Sequence, residues 1–220
     1  MREVFKKYLN DEIKYSKKQL IGIISLVIVI AGIFGWVYEF IFYYFDQGMD
    51  KFYYQGGNFL PWINIYAYGA LFIILFSYKY KKSPLKVFLI SLLSTGLLEF
   101  LSGFILHKYF GLRFWDYNIE ILNFGNIGGY ICLRSVTFFA VSGLLLMYLI
   151  LPFCVYLSEK IKTNKFLIIS LILLFMIVID DLYNLVISKV FDLPNAIEIY
   201  KNLGFNFMII KELLWIEIKH

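Results

Sequence analysis

Arg113-Phe114-Trp115-Asp116-Tyr117 puts a cation, a carboxylate and three aromatic rings into five consecutive positions. Arg113 and Asp116 are three residues apart, so one turn brings them to the same face, where they can pair. The Asp116 carboxylate can staple the loop by accepting backbone N–H groups, or it can present charge to a ligand. Other ionisable residues stand inside strongly apolar stretches: Glu39, Glu99, Arg134, Asp180 and Asp181. Charge in hydrocarbon is costly, and charges kept there usually face a protein interior or a water-filled cavity and often serve a function. Arg134 is the natural partner for Glu39 or Glu99, because a guanidinium pairs bidentately with a carboxylate. One arginine leaves carboxylates over. Either desolvation and mutual repulsion protonate some of them, or a cationic ligand group completes the site. The competing reading is a structural ion-pair pin between helices.

The apolar stretches define the class. The chain has 220 residues, of which 60% are hydrophobic, 20% aromatic and only 17% charged. Soluble domains carry about a quarter charged residues and do not sustain runs of about twenty apolar positions. The expected fold is an all-α membrane protein of about five transmembrane helices, with a polar cluster near one face and an amphipathic C-terminal segment. The spans read as Leu20–Phe45, Leu60–Tyr78, Leu85–Leu106, Ile131–Leu157 and Phe166–Val186. Each is long enough to cross about 30 Å of hydrocarbon or close to it. Residues 1–19 form a basic arm, 20–186 the membrane domain, and 187–220 a tail. The first span reads as a retained anchor, since its apolar core is too long for a cleavable signal and no small-residue cleavage site follows.

Lysine and arginine set the expected orientation. The arm holds Arg2, Lys6, Lys7, Lys14, Lys17 and Lys18, and the loops after spans two and four hold Lys79, Lys81, Lys82, Lys86, Lys160, Lys162 and Lys165. The other loops hold Lys51, Lys108 and Arg113. The positive-inside rule places the N-terminus in the cytoplasm, the C-terminus outside, and the Arg113–Tyr117 motif on the outer side of a cell membrane. Glu39, Glu99, Arg134, Asp180 and Asp181 then fall within roughly 5–11 Å of the outer span ends by helical rise. Four spans carrying charge at one depth imply an outer-facing polar pocket. The net charge of +5 reflects lysines flanking the spans, which fits lipid-surface contact rather than nucleic-acid binding.

Several chemistries lack support. Cys132 and Cys154 stand at opposite ends of one span, about 33 Å apart by helical rise, too far for a disulfide. His107 and His220 are the only histidines, no metal-ligand spacing occurs, and neither a Walker A motif nor a dinucleotide fingerprint is present. No cofactor, metal or catalytic residue is therefore assigned. Trp36, Trp62, Trp115, Tyr43, Tyr44, Tyr53 and Tyr54 suit an aromatic belt at the headgroups. Asn123, Gly125, Asn126, Gly128 and Gly129 suggest a tight polar re-entry before span four, with a weak resemblance to a phosphate nest. In the tail, Ile197, Tyr200, Leu203, Phe207, Ile210, Leu214 and Ile218 recur at helical spacing, as on an interfacial helix. Lys211, Glu212 and Glu217 argue against a sixth span.

A family resemblance rests on a set of motifs. These are Gly35-Trp36 with Glu39, Pro61-Trp62, Ile65-Tyr66, Gly69-Ala70 and Leu98-Glu99, then Arg113–Tyr117, Asn126, Gly129, Ile131-Cys132-Leu133 and Asp181. Together, over roughly residues 20–185, they resemble the bacterial ABC-transporter type IV permeases called CmpB-like. The chain departs from that pattern at Asn64 and Ala67, which stand for proline and glycine, at Tyr130 for arginine, and at Phe114 for tryptophan. The resemblance implies a permease driven by an ATPase on a separate chain. It fixes neither substrate nor direction. The expected pocket comprises Glu39, Glu99, Arg113, Trp115, Asp116, Tyr117, Asn126, Arg134 and Asp181, in contact with a lipid or small-molecule ligand. Two alternatives stand beside it: an intramembrane enzyme or headgroup-binding protein, and an accessory subunit of a membrane complex.

Overall fold

The computed structural model describes residues 1–46 and 56–205. Within them the chain is helical, with no strand. The elements are α1 (Arg2–Leu9), α2 (Lys17–Asp46), α3 (Asn64–Ser77), α4 (Pro84–Phe110), α5 (Leu133–Lys160), α6 (Thr163–Val190) and α7 (Ala196–Asn202). Four of these, α2, α4, α5 and α6, have 27 to 30 residues and are apolar enough to cross a membrane. Exposed Leu75, Leu93 and Phe175 show large apolar side chains on the outer surface of the bundle, as a helix bundle in lipid requires.

Local sequence explains the helix limits. Pro84 opens α4, where its missing N–H costs nothing. Gly111 closes it in the left-handed conformation, φ 64°. Asn195 and Glu198 form a reciprocal capping box on α7. Two long helices contain π turns with identifiable causes. In α5 the turn at Leu146–Ile150 precedes Pro152, which cannot donate to the helix ladder. In α6 the turn at Tyr183–Ile187 follows Asp180, whose carbonyl accepts from Asn184 Nδ2 at 2.9 Å.

The second expected span differs from its sequence reading. The helix begins at Asn64, not Leu60, and α3 has 14 residues, or about 21 Å of helical rise. Residues 56–63 enter the bundle as non-helical chain. Their innermost point is near the middle of α2, where Ile63 N–H donates to the Gly32 carbonyl at 3.2 Å. Pro61 explains the break, because it disfavours helix at Leu60 and supplies no N–H. Close packing holds the segment there: a Cβ on Gly32 would overlap the Trp62 ring, and one on Gly35 would overlap Tyr66.

In the bundle α2 packs on α3 and α6, α4 packs on α3 and α5, and the second half of α5 returns to α2. One core cluster joins Tyr8, Ile23, Val27, Met147, Cys154 and Phe166 at the N-terminal end. There the arm helix α1 lies against α5. Lys81 is buried among it, ion-paired with Asp11, with its ammonium 3.9 Å from the Tyr78 ring centroid and 4.7 Å from that of Tyr8. A second cluster joins Val29, Trp62, Ala67 and Ile177, and a third Ile63, Tyr66 and Phe139. The helix α7 covers residues 56–63, with the Tyr200 hydroxyl donating to the Phe59 carbonyl at 3.0 Å. The expected tail helix beyond Phe205, including Phe207, Ile210, Lys211, Glu212, Leu214, Glu217 and Ile218, lies outside the described residues. So do Lys51, Tyr53, Tyr54 and His220.

Candidate functional site

The loop between α4 and α5, residues 111–132, folds into a compact polar knot. Arg113 Nη2 lies 2.7 Å from Asp116 Oδ1 and donates to the Gly128 carbonyl at 2.9 Å. Asp116 Oδ1 also accepts from Asn118 N–H at 2.9 Å. Asn126 Oδ1 accepts from Gly129 N–H at 2.8 Å, and its amide donates to Asn118 Oδ1 at 2.7 Å. Trp115 Nε1 donates to the Tyr130 carbonyl at 2.9 Å. Gly129 sits at φ 78°, and a Cβ there would overlap Arg113 and Asp116. Arg113 Nη2, the Asp116 carboxylate and the Asn126 amide thus bond within the loop itself.

That knot aims Tyr117 into the bundle. Its hydroxyl donates to Glu99 Oε1, and Ser135 Oγ donates to Glu99 Oε2 at 2.9 Å. Burial, then the nearby Glu99 charge, push the Tyr117 hydroxyl well above its ordinary range, so it stays protonated and keeps donating. Glu120, in the same loop, ion-pairs with Arg134 at the start of α5 and accepts from the Tyr43 hydroxyl of α2 at 2.8 Å. Burial holds Glu120 above its ordinary value even though Arg134 pulls it down. The expected partners of Arg134, Glu39 and Glu99, are therefore replaced by Glu120. A folded-back loop brings this carboxylate to Arg134, while Tyr117 and Ser135 satisfy Glu99.

On the other side the α6 carboxylates solvate the non-helical chain. Asp180 accepts from Phe59 N–H at 2.9 Å and from Leu60 N–H at 2.6 Å. Asp181 accepts from Asn58 Nδ2 at 2.6 Å and from Trp62 Nε1 at 3.4 Å. Asn184 links Asp180 to the N–H of Ala196, at the start of α7. These bonds replace the helical bonds that residues 58–62 do not make.

Between the two groups lies a cavity of about 310 Å³. Glu39, Tyr43, Asn58, Tyr66, Glu99, Ser102, Phe114, Trp115, Tyr117, Glu120, Phe139 and Asp181 are among its walls. Of the expected pocket residues, the structure brings Glu39, Glu99, Trp115, Tyr117 and Asp181 to this cavity. Arg113, Asp116, Asn126 and Arg134 stand behind the wall, holding the loop or Glu120. Glu120, Tyr43, Asn58 and Ser135 were not singled out from the sequence as pocket residues. Glu120 carried a signal of its own, as a carboxylate in an Asn- and Gly-rich loop without lysine, but nothing local to it says that the loop folds inward.

No curated protein and no solved structure matches the chain. A family model does match, over residues 26–185, and its description is "Putative ABC-transporter type IV". The match takes in all the residues that line the cavity except Ile197. With apolar helices of membrane-crossing length, this chain is a membrane protein of the transporter type and belongs to the ABC-transporter type IV family.

Proposed function

We propose that the chain is the permease component of a transporter, driven by an ATPase on a separate chain, and that the cavity is its substrate-binding place. The observation that carries this reading is the non-helical stretch 56–63 reaching the middle of α2 beside the cavity. Irregular backbone at membrane depth is tolerated only where it is buried in protein or lines a cavity. Discontinuous helices of this kind form substrate sites near the midplane of many transporters. Glu39, Glu99, Trp115, Tyr117 and Asp181 are the proposed contact residues, with Arg113, Asp116, Asn126 and Arg134 holding the wall in place.

The lysine distribution supports a cell-membrane orientation with the arm and the α3–α4 and α5–α6 loops in the cytoplasm. Those segments are the surface available to an ATPase. The cavity then faces the outer side. The test is affinity purification of the full chain from native membranes. The expected result is a co-purifying ATPase whose nucleotide hydrolysis is lost when its own Walker A lysine is replaced. A chain that purifies intact without any ATPase, with or without crosslinking, would remove the permease reading.

A further inference from the structure

We propose that the cavity receives an ammonium group, carried either by a small soluble amine or quaternary ammonium compound or by a zwitterionic lipid headgroup. The proposal rests on reading the cavity as a binding place, and it names the chemistry of the occupant.

Four carboxylates line the cavity, Glu39, Glu99, Glu120 and Asp181, and no lysine or arginine is among its described walls. Arg134 offsets Glu120 from behind the wall, while no described cation pairs with Glu99 or Asp181, so the lining keeps an acidic balance that repels an anion and favours a cation. Aromatic rings, among them Tyr43, Tyr66, Phe114, Trp115 and Tyr117, stand between the carboxylates. Rings and carboxylates together are the chemistry that recognises alkylated ammonium groups, through attraction of the cation to the ring face. The protein's own cation provides an independent observation. Arg134 lies behind the wall, its guanidinium carbon 3.9 Å from the Phe42 ring centroid and 5.4 Å from that of Tyr117, while it pairs with Glu120. Tyr117 and Glu120 are both cavity walls, so ring and carboxylate together already hold one cation at the edge of this cavity. The volume of about 310 Å³ lies at the low end of small-molecule sites, about 300–1,000 Å³. That size suits a headgroup or a small amine.

The experiment uses the full chain in nanodiscs of phosphatidylglycerol, a lipid without ammonium. Choline is titrated by calorimetry beside dimethylbutanol, in which carbon replaces the quaternary nitrogen, and beside butyrate. Choline is expected to bind at least ~10-fold more tightly than either, a difference of about 1.4 kcal/mol. Glu39→Gln and Phe114→Leu should each weaken choline several-fold. Phe114→Leu should leave weak dimethylbutanol binding unaltered, which a merely structural ring would not do. Repeating the titration in phosphatidylcholine nanodiscs decides the source. Loss of free choline binding there assigns the group to a headgroup, and undiminished binding assigns it to a soluble solute. Equal binding of all three probes, or no binding of choline, overturns the ammonium assignment. Either result leaves the permease reading to stand or fall on ATPase co-purification.

Discussion

Arg134 and Glu120 show how much of the site depends on a single pair. Both are mostly buried, so removing one leaves the other's charge uncompensated, at a cost of about 3–5 kcal/mol. Arg134→Met should lower the melting temperature sharply. Adding Glu120→Gln to it should recover much of the loss, giving strong non-additivity in a double-mutant cycle. The same cycle with Glu99→Gln should couple less, because Glu99 is satisfied by Tyr117 and Ser135. Additive effects for Arg134 and Glu120 would show that the pair is not formed. Glu120 also sets a pH dependence. Burial raises its folded value above the ordinary 4.5, so above that pH the folded protein retains a proton that the unfolded chain has released. Its contribution to stability is therefore greatest at low pH and falls as pH rises from the ordinary value through the raised one. The melting temperature of the native protein, measured relative to Glu120→Gln, should decline across that window. A flat difference would contradict it.

Residues 56–63 are the element on which the site turns, and Asp180 is what keeps them unwound. Its two oxygens accept the Phe59 and Leu60 N–H groups, and each buried donor left unmade costs about 1–3 kcal/mol. Asp180→Ala should lower thermal stability by an amount in that range or above it, and speed hydrogen exchange at Phe59 and Leu60 first. Slow exchange there in the variant would mean that other groups hold this backbone. The long spans were legible in the sequence because an unbroken apolar run of more than twenty residues leaves few alternatives to a helix in lipid. The start of α3 was not. Leu60, Trp62 and Ile63 continue the apolar run, and the acceptors that permit a break come from Asp180, 120 residues away. Of the residues expected to share a depth, Glu39, Glu99 and Asp181 line one cavity. The pairing of Arg134 with Glu120 left no mark in the sequence, because side chains that meet through a folded-back loop leave no period there.

At the scale of the whole molecule the two ends of the bundle differ in kind. One holds the carboxylates and the polar loop, and the other holds the arm and the buried Lys81. The native Cys132 and Cys154 are buried, so introduced cysteines report cleanly. In intact cells an impermeant thiol reagent should label Asn118→Cys, in the exposed part of the polar loop, and should spare Lys82→Cys. The reverse pattern would invert the proposed orientation and put the cavity on the cytoplasmic side. The arm has a further consequence, for the order in which the molecule is made. Lys81 follows Asp11 by 70 residues, and Tyr8 shares its core cluster with Met147, Leu151 and Cys154, which are synthesised later still. A growing chain therefore completes α1 long before its seat exists. Until Tyr78 and Lys81, and then α5, have followed it, the apolar side of α1 has only the bilayer surface to rest on, and Lys6 and Lys7 suit such a wait beside anionic headgroups. The first helix to be made is thus seated only after much of the bundle has followed it.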